Sequence, residues 1–276
     1  MENNKSINAG FTGSPKRYLI PEKIKAITSD FDYIKIWKFL FLKGIEIYGK
    51  KFKFYEEDTD LILKLITWFL KDDKNAKTLS MDLEKGILLV GPVGCGKTSL
   101  MNLMRFILPL DQRHRLHSCR DISFEFSRDG YTVIHRYSKG SFSVSKFEPI
   151  TYCFDDLGLE SEMQHYGNSC KVMSEILYSR YDYFHSFGMQ THLTTNLNST
   201  EIEKIYGLRL RSRMREIFNL LVFLQILQIK ESDSIFLLAL FPKINFLIIC
   251  LLTANLILKI RSAIIQFTRK RKIKNS

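Results

Sequence analysis

The stretch Gly86-Ile-Leu-Leu-Val-Gly-Pro-Val-Gly-Cys-Gly-Lys-Thr98 runs from an apolar segment into a glycine-rich turn that ends in lysine and threonine. Ile87 to Val90 predicts a short buried strand, and Ser99-Leu-Met-Asn-Leu-Met-Arg-Phe106 predicts a helix. The pattern G-x-x-x-x-G-K-T therefore lies between the two elements that a phosphate-binding P-loop requires. Glycines let successive backbone N–H groups turn toward one anion, and the helix start adds its positive end. Lys97 can neutralise charge on β- and γ-phosphates, and the Thr98 hydroxyl can hold Mg²⁺. The expected nucleotide-contacting residues are Gly91, Pro92, Val93, Gly94, Cys95, Gly96, Lys97, Thr98 and Ser99.

From Lys85 onward, strand-like and helix-like stretches alternate, which predicts an α/β domain with a parallel sheet and crossover helices over residues 83–223. Asp121-Ile-Ser-Phe-Glu-Phe126 reads equally as a strand or a short helix, and Tyr131 to Tyr137 is ambiguous too. Ser138 to Lys146 reads as a polar, basic surface loop. Ile150-Thr-Tyr-Cys-Phe-Asp-Asp-Leu-Gly158 is an apolar strand ending in two acids. A carboxylate at the end of a strand beside a P-loop can hold Mg²⁺, and its neighbour can orient or deprotonate a water. Asp155 is accordingly expected on the metal and Asp156 on the water. Asn168 to Ser186 predicts a helix, on which Arg180 is either solvated or turned toward a neighbouring subunit. Met189-Gln-Thr-His-Leu-Thr-Thr-Asn196 predicts a further strand, with Asn196 placed to sense the γ-phosphate or the attacking water. His192, His135, His165 and His185 read as satisfied core residues.

Upstream, residues 1–17 are rich in Asn, Ser, Gly and Lys and read as a disordered leader. Residues 18–82 read as a small, mostly helical module that binds a partner or DNA. Phe31, Ile34, Trp37, Phe39 and Leu40 suggest one helix, Ile45 to Gly49 an extended piece or turn, and Leu61, Ile62, Leu65, Ile66 and Phe69 a second helix capped from Asp58-Thr-Asp60. The aromatic residues here are expected in the core rather than as a platform for bases. With 45% apolar residues in 276, the chain is not a disordered one. Its formal charge of +12 is unevenly spread. Residues 224–276 carry nine Lys/Arg and two Asp/Glu, and the remaining 32 and 27 leave the first 223 residues only mildly basic. Five cysteines without C-x-x-C spacing point to a reducing compartment without structural zinc. The polar start, Met1 to Gly10, is unlike a signal peptide, so a cytoplasmic location is expected.

Leu208-Arg-Leu-Arg-Ser-Arg-Met-Arg215 places four arginines in seven residues from Arg209. If helical, Arg209 and Arg213 share a face and suit charge stabilisation of a phosphate across a subunit interface; a solvated basic helix or a DNA-backbone contact is the alternative. Together, Gly-Pro-Val-Gly-Cys-Gly-Lys-Thr, Cys-Phe-Asp-Asp-Leu-Gly, Thr-Thr-Asn-Leu and Glu-Lys-Ile-Tyr-Gly-Leu-Arg-Leu-Arg-Ser-Arg-Met-Arg resemble the DnaC/IstB-type AAA+ ATPases over residues 80–223. The resemblance implies a P-loop NTPase fold of the AAA+ type and hydrolysis of ATP with Mg²⁺. It implies ATP-dependent assembly into a homo-oligomer and binding of DNA, often single-stranded. It also implies a client that is a replicative helicase in loading or a transposase in transposition. By position it makes Arg213 the arginine finger and Arg209 an accessory arginine. A nucleotide switch that binds a protein partner without motor action is the alternative.

The departure comes after Phe218-Asn-Leu-Leu-Val-Phe223, where the resemblance calls for a short polar segment with a sensor-2 arginine. Ile235 to Leu258 instead holds 19 apolar residues in 24, followed by the basic run Arg269 to Lys274. Residues 235–258 are long enough to span a bilayer, which would make this a membrane-anchored ATPase. Pro242, Lys243, Asn245 and Asn255 interrupt that stretch. A shifted reading frame is the other explanation. With suitable synonymous codons, one inserted base after codon 223 turns the tail into Ser-Ser-Asn-Ser-Pro-Asp-Lys-Arg-Lys and a stop. Residues 224–276 would then be out-of-frame translation, and the chain's hydrolysis would be impaired.

Overall fold

The computed structural model describes residues 20–160 and 162–223; the leader 1–17 and the tail 224–276, with its candidate span and frame shift, lie outside the described residues. The strands are β1 Gly86–Val90, β2 Arg115–Ser118, β3 Tyr152–Leu157, β4 Met163–His165, β5 Asn168–Cys170, β6 Thr191–Thr195 and β7 Phe218–Val222. The helices are α1 Glu22–Lys25, α2 Tyr33–Tyr48, α3 Thr59–Leu70, α4 Asp73–Thr78, α5 Lys97–Met104, α6 Cys119–Asp129, α7 Thr132–Tyr137, α8 Val172–Phe187 and α9 Ser199–Ile217. Five strands form one parallel sheet in the order β2-β3-β6-β1-β7, and β4 with β5 makes a separate antiparallel hairpin. The predicted α/β class and parallel sheet are therefore present, preceded by helices.

Side chains alternate across each strand, and here they sort into two cores. Ile87, Leu89 and Cys153 join α2, α3 and α5 through Trp37, Leu40, Leu65, Trp68, Met101 and Met104. Leu88, Tyr152, Phe154 and Leu193 join α6 to α9 through Ile122, Phe126, Ile176, Leu177, Leu210 and Met214. Both faces of the sheet are thus covered, as an all-parallel sheet demands. Each fully buried Leu or Ile contributes about 1.5–3 kcal/mol relative to an exposed one. Since α3 shares a core with the P-loop helix α5, the upstream helices are packed onto the sheet. Trp68 completes the junction by donating its indole N–H to Lys85 O at 2.8 Å.

Several local readings change. Asp121 to Phe126 is helical: Ser118 accepts from Asp121 N at its start, and Ile122 and Phe126, one turn apart, are both buried. Thr132 to Tyr137 is helical as well. Ile45 to Tyr48 belongs to the last turns of α2, whose apolar spacing outweighs the β-branched residues there. Asp58 precedes α3 without a capping bond from its side chain. Asn168 to Cys170 is a strand rather than the start of a helix. The turn before it runs through Tyr166 and Gly167, both at positive φ (48° and 81°), which suits a tight hairpin. Asn198, not Ser199, caps α9, forming a capping box with Glu201. In the loop expected on the surface, Ser138 and Ser141 are buried and donate to Ile134 O and Arg136 O. Of the histidines, His192 is a core residue that accepts from Ile87 N at 3.1 Å, whereas His135 and His185 are exposed and His165 half-buried.

The largest correction concerns Arg180. It is fully buried, neither solvated nor turned toward another subunit. Its guanidinium donates to Thr191 Oγ1 (2.7 Å), Tyr137 O (3.0 Å), Ile150 O (3.1 Å) and Gln190 O (2.8 Å). Among the described residues no helix is long and apolar enough to cross a membrane.

Candidate nucleotide-binding site

The P-loop lies between β1 and α5, in the middle of the sheet, as the motif predicts. Gly94 and Gly96 have φ of 80° and 96°, and nothing would obstruct a ligand within 4 Å of where their Cβ atoms would stand. Gly96 is the N-cap of α5 and supplies no side-chain cap, so the first N–H groups of the helix are left for an anion. Lys97 is buried, and its ammonium donates to Gly91 O at 2.8 Å and Pro92 O at 2.9 Å. Of the expected contact residues, Val93, Gly94, Gly96, Lys97, Thr98 and Ser99 line one cavity of ≈ 270 Å³, together with Asp156, Leu159 and Asn196. Gly91, Pro92 and Cys95 stand outside that lining. The first two act through their carbonyls on Lys97, and Cys95 faces the neighbouring cavity described below.

Asp155 sits behind the loop, and the Thr98 hydroxyl donates to both its oxygens, at 3.0 and 2.9 Å. A hydroxyl and a carboxylate brought to one point by the P-loop and β3 are the hard oxygen donors that Mg²⁺ takes, with phosphate oxygens and water completing its shell. These two residues fit that ion. The next strand contributes a residue the sequence reading passed over. Thr194 donates from Oγ1 to Asp155 Oδ1 at 2.6 Å and accepts from Asp156 N at 2.9 Å, so one hydroxyl orients both acids. Its signal was the register: Phe154 pairs with Leu193, which puts the following threonine beside the following acid.

Between Phe154 and Leu157 the pairing of β3 with β6 shifts, and Asp156 takes φ 57°. A bulge re-aims a side chain at the end of a strand, and here it sends Asp155 toward Thr98 and Asp156 into the cavity. Burial, and then the adjacent Asp155 carboxylate, raise the Asp156 pKa, while Lys97 opposes the shift. Asn196, exposed at the end of β6, lines the same cavity. Asp156 and Asn196 thus face one volume from adjacent strands, the arrangement needed to hold a water between them.

A second cavity of ≈ 210 Å³ opens on the other side of the loop, lined by Phe52, Phe54, Tyr55, Asp58, Gly94, Cys95 and Ser99 among others. Burial, and then Glu57, push the Asp58 pKa up to about 6. Trp37, Phe41, Trp68 and Phe69 are core, as expected of the upstream aromatics, but Tyr55 is 47% exposed at this opening. Arg209 and Arg213 do share a face of α9. They lie over the Tyr178 ring at 6.0 and 5.0 Å, with Arg213 also 4.5 Å from the Tyr181 ring, and neither lines the cavity of its own chain.

No family model and no curated protein matches the chain. Solved structures do match. A DnaC helicase loader aligns with 62% of this chain and 92% of its own, at 17% identity and a TM-score of 0.42. DnaI aligns with 74% and 94% at 18% identity and 0.36, and PCH-2 of C. elegans with 72% and 51% at 18% identity and 0.41. By its own strand order and motifs the chain has a P-loop NTPase fold, and it is similar to the DnaC-type AAA+ proteins whose motifs it resembles.

Proposed function

We propose that the chain is an ATP-dependent, DNA-associated ATPase of the DnaC/IstB type, acting with a helicase in replication or with a transposase. The convergence of Lys97, Thr98, Asp156 and Asn196 on one cavity, with Asp155 held behind Thr98, carries the reading. The P-loop N–H groups and Lys97 bind the phosphates. Thr98 and Asp155 hold Mg²⁺, which when bound offsets phosphate charge. Asp156, aimed inward and raised in pKa, takes a proton from a water that Asn196 helps to orient. The aromatic-lined cavity beside Cys95 takes the base.

Lys97→Ala is expected to weaken nucleotide affinity by about a hundredfold, from the loss of one charge-assisted contact worth roughly 1.5–3 kcal/mol. Titration with a fluorescent ATP analogue reads this, and unchanged affinity would remove Lys97 from the site. Arg209 and Arg213 complete the site of a neighbouring protomer. Arg213→Ala should lower turnover about a hundredfold. Mixing it with Lys97→Ala should restore activity, since each variant supplies what the other lacks. Two inactive proteins that stay inactive when mixed would count against a shared site. Single-stranded DNA should stimulate turnover, and its binding should weaken steeply with salt. Nucleotide binding with neither DNA affinity nor turnover at low salt would leave the switch as the better reading.

A further inference from the structure

The turn that leaves β3 connects the nucleotide cavity with α9 through a single carboxylate. Leu159 N donates to Asp156 O at 3.2 Å, closing a turn with Gly158 in its third position at φ 102°, a geometry that asks for glycine. Asp156 and Leu159 of this turn line the cavity. Glu160 folds back beneath it: Oε2 accepts from Gly158 N at 2.7 Å, and Oε1 accepts from the Tyr206 hydroxyl. Tyr206 is buried in α9, immediately before Gly207, where the helix breaks with φ 86° and ψ 157°. Beyond the break, Leu210 and Met214 anchor the second half of α9 in the core, and Arg209 and Arg213 lie on Tyr178.

A half-buried carboxylate has to be compensated by hydrogen bonds. Burial raises the Glu160 pKa, the bonds from Tyr206 and Gly158 oppose the rise, and no cation pairs with Glu160 among the described residues. Its two partners lie on two different elements, so the compensation holds only while the turn and the helix keep their spacing.

We propose that Glu160 is a positioning residue that ties the Asp156 turn to Tyr206, so that nucleotide in the cavity sets the break at Gly207 and with it the placement of Arg209 and Arg213. This rests on the nucleotide reading of the cavity above. It assigns to the acid no contact with the reacting atoms.

The test uses hydrogen exchange of the full chain with and without a slowly hydrolysed ATP analogue and Mg²⁺, beside a direct binding titration. In the wild type, nucleotide should slow exchange over residues 207–213 by about fivefold or more, the lower range of coupled sites. Glu160→Ala should bind the analogue within about threefold of wild type, a difference under 1 kcal/mol in strength, and lose that slowing. Tyr206→Phe keeps the ring packing, deletes the same contact and should lose it too. Glu160→Gln should restore it, since its amide oxygen accepts from Gly158 N while its NH₂ donates to the Tyr206 oxygen. Wild type that binds nucleotide without any change over 207–213, or Tyr206→Phe that keeps the change in full, overturns the proposal. Failure of wild type to bind in the titration overturns instead the reading beneath it.

Discussion

Asp156→Asn is expected to bind ATP as the wild type does and to hydrolyse it about a thousandfold more slowly, the range of a positioned general base. Asparagine keeps the volume, and the bond from Asp156 N to Thr194 Oγ1 is a backbone bond that the substitution leaves in place. What disappears is the ability to accept a proton at a side chain aimed into the cavity. The stability effect should have the opposite sign. The folded state raises this carboxyl's pKa through burial and then through Asp155. The ionised form is thus disfavoured by folding, and the penalty grows as pH rises from the unfolded to the folded pKa. At neutral pH the amide should be neutral or slightly stabilising. The same shift places the acid limb of the wild-type rate profile above the ordinary carboxylate range. Steady-state turnover with a binding titration and a thermal melt separates the effects. Unchanged turnover would remove Asp156 from its role, and a lost fold would make the rate uninterpretable as chemistry.

The nucleotide site was legible because its parts are local in sequence. The P-loop pattern is contiguous, and Asp155 and Asn196 each end an apolar run that only a strand explains. What escaped the sequence depends on pairing between distant segments. Thr194 matters because register sets it beside Asp155, and Glu160 because its partner is 46 residues away. Neither register nor that fold-back is visible in periodicity. Boundaries failed for a different reason: Asn168 to Cys170 continues smoothly into the apolar spacing of α8, and the hairpin is signalled only by Tyr166-Gly167, where tyrosine is an unusual residue at positive φ. Arg180 failed because a charge on a helix is ordinarily solvated, and nothing in a linear chain shows that its acceptors will gather around it.

That gathering makes Arg180 the position where a single substitution should cost the most stability. Its nitrogens serve the end of α7, the residue before β3's turn into the sheet, and both Gln190 O and the Thr191 hydroxyl at the start of β6. Three of these four acceptors are backbone carbonyls or a buried hydroxyl that no other bond satisfies as well, and the guanidinium also lies 5.3 and 5.6 Å from the Tyr152 and Phe154 rings. Burial lowers its pKa to about 9, which still leaves it charged at neutral pH. Arg180→Ala should destabilise by roughly 3–5 kcal/mol, the scale on which buried charged networks fail when one partner is removed, against a total of about 5–15 kcal/mol for a domain. Arg180→Met separates the causes. It fills most of the volume but donates nothing, so if the bonds dominate it should be nearly as damaging as alanine, and if the cavity dominates it should recover most of the loss. Lysine should rescue poorly, because one ammonium cannot reach acceptors that the planar fork spans. Urea midpoints at an unchanged denaturant slope measure all three. An Arg180→Ala midpoint equal to the wild type's would mean that these bonds return to water at no net loss, and Arg180 would not be what joins α8 to the start of the sheet.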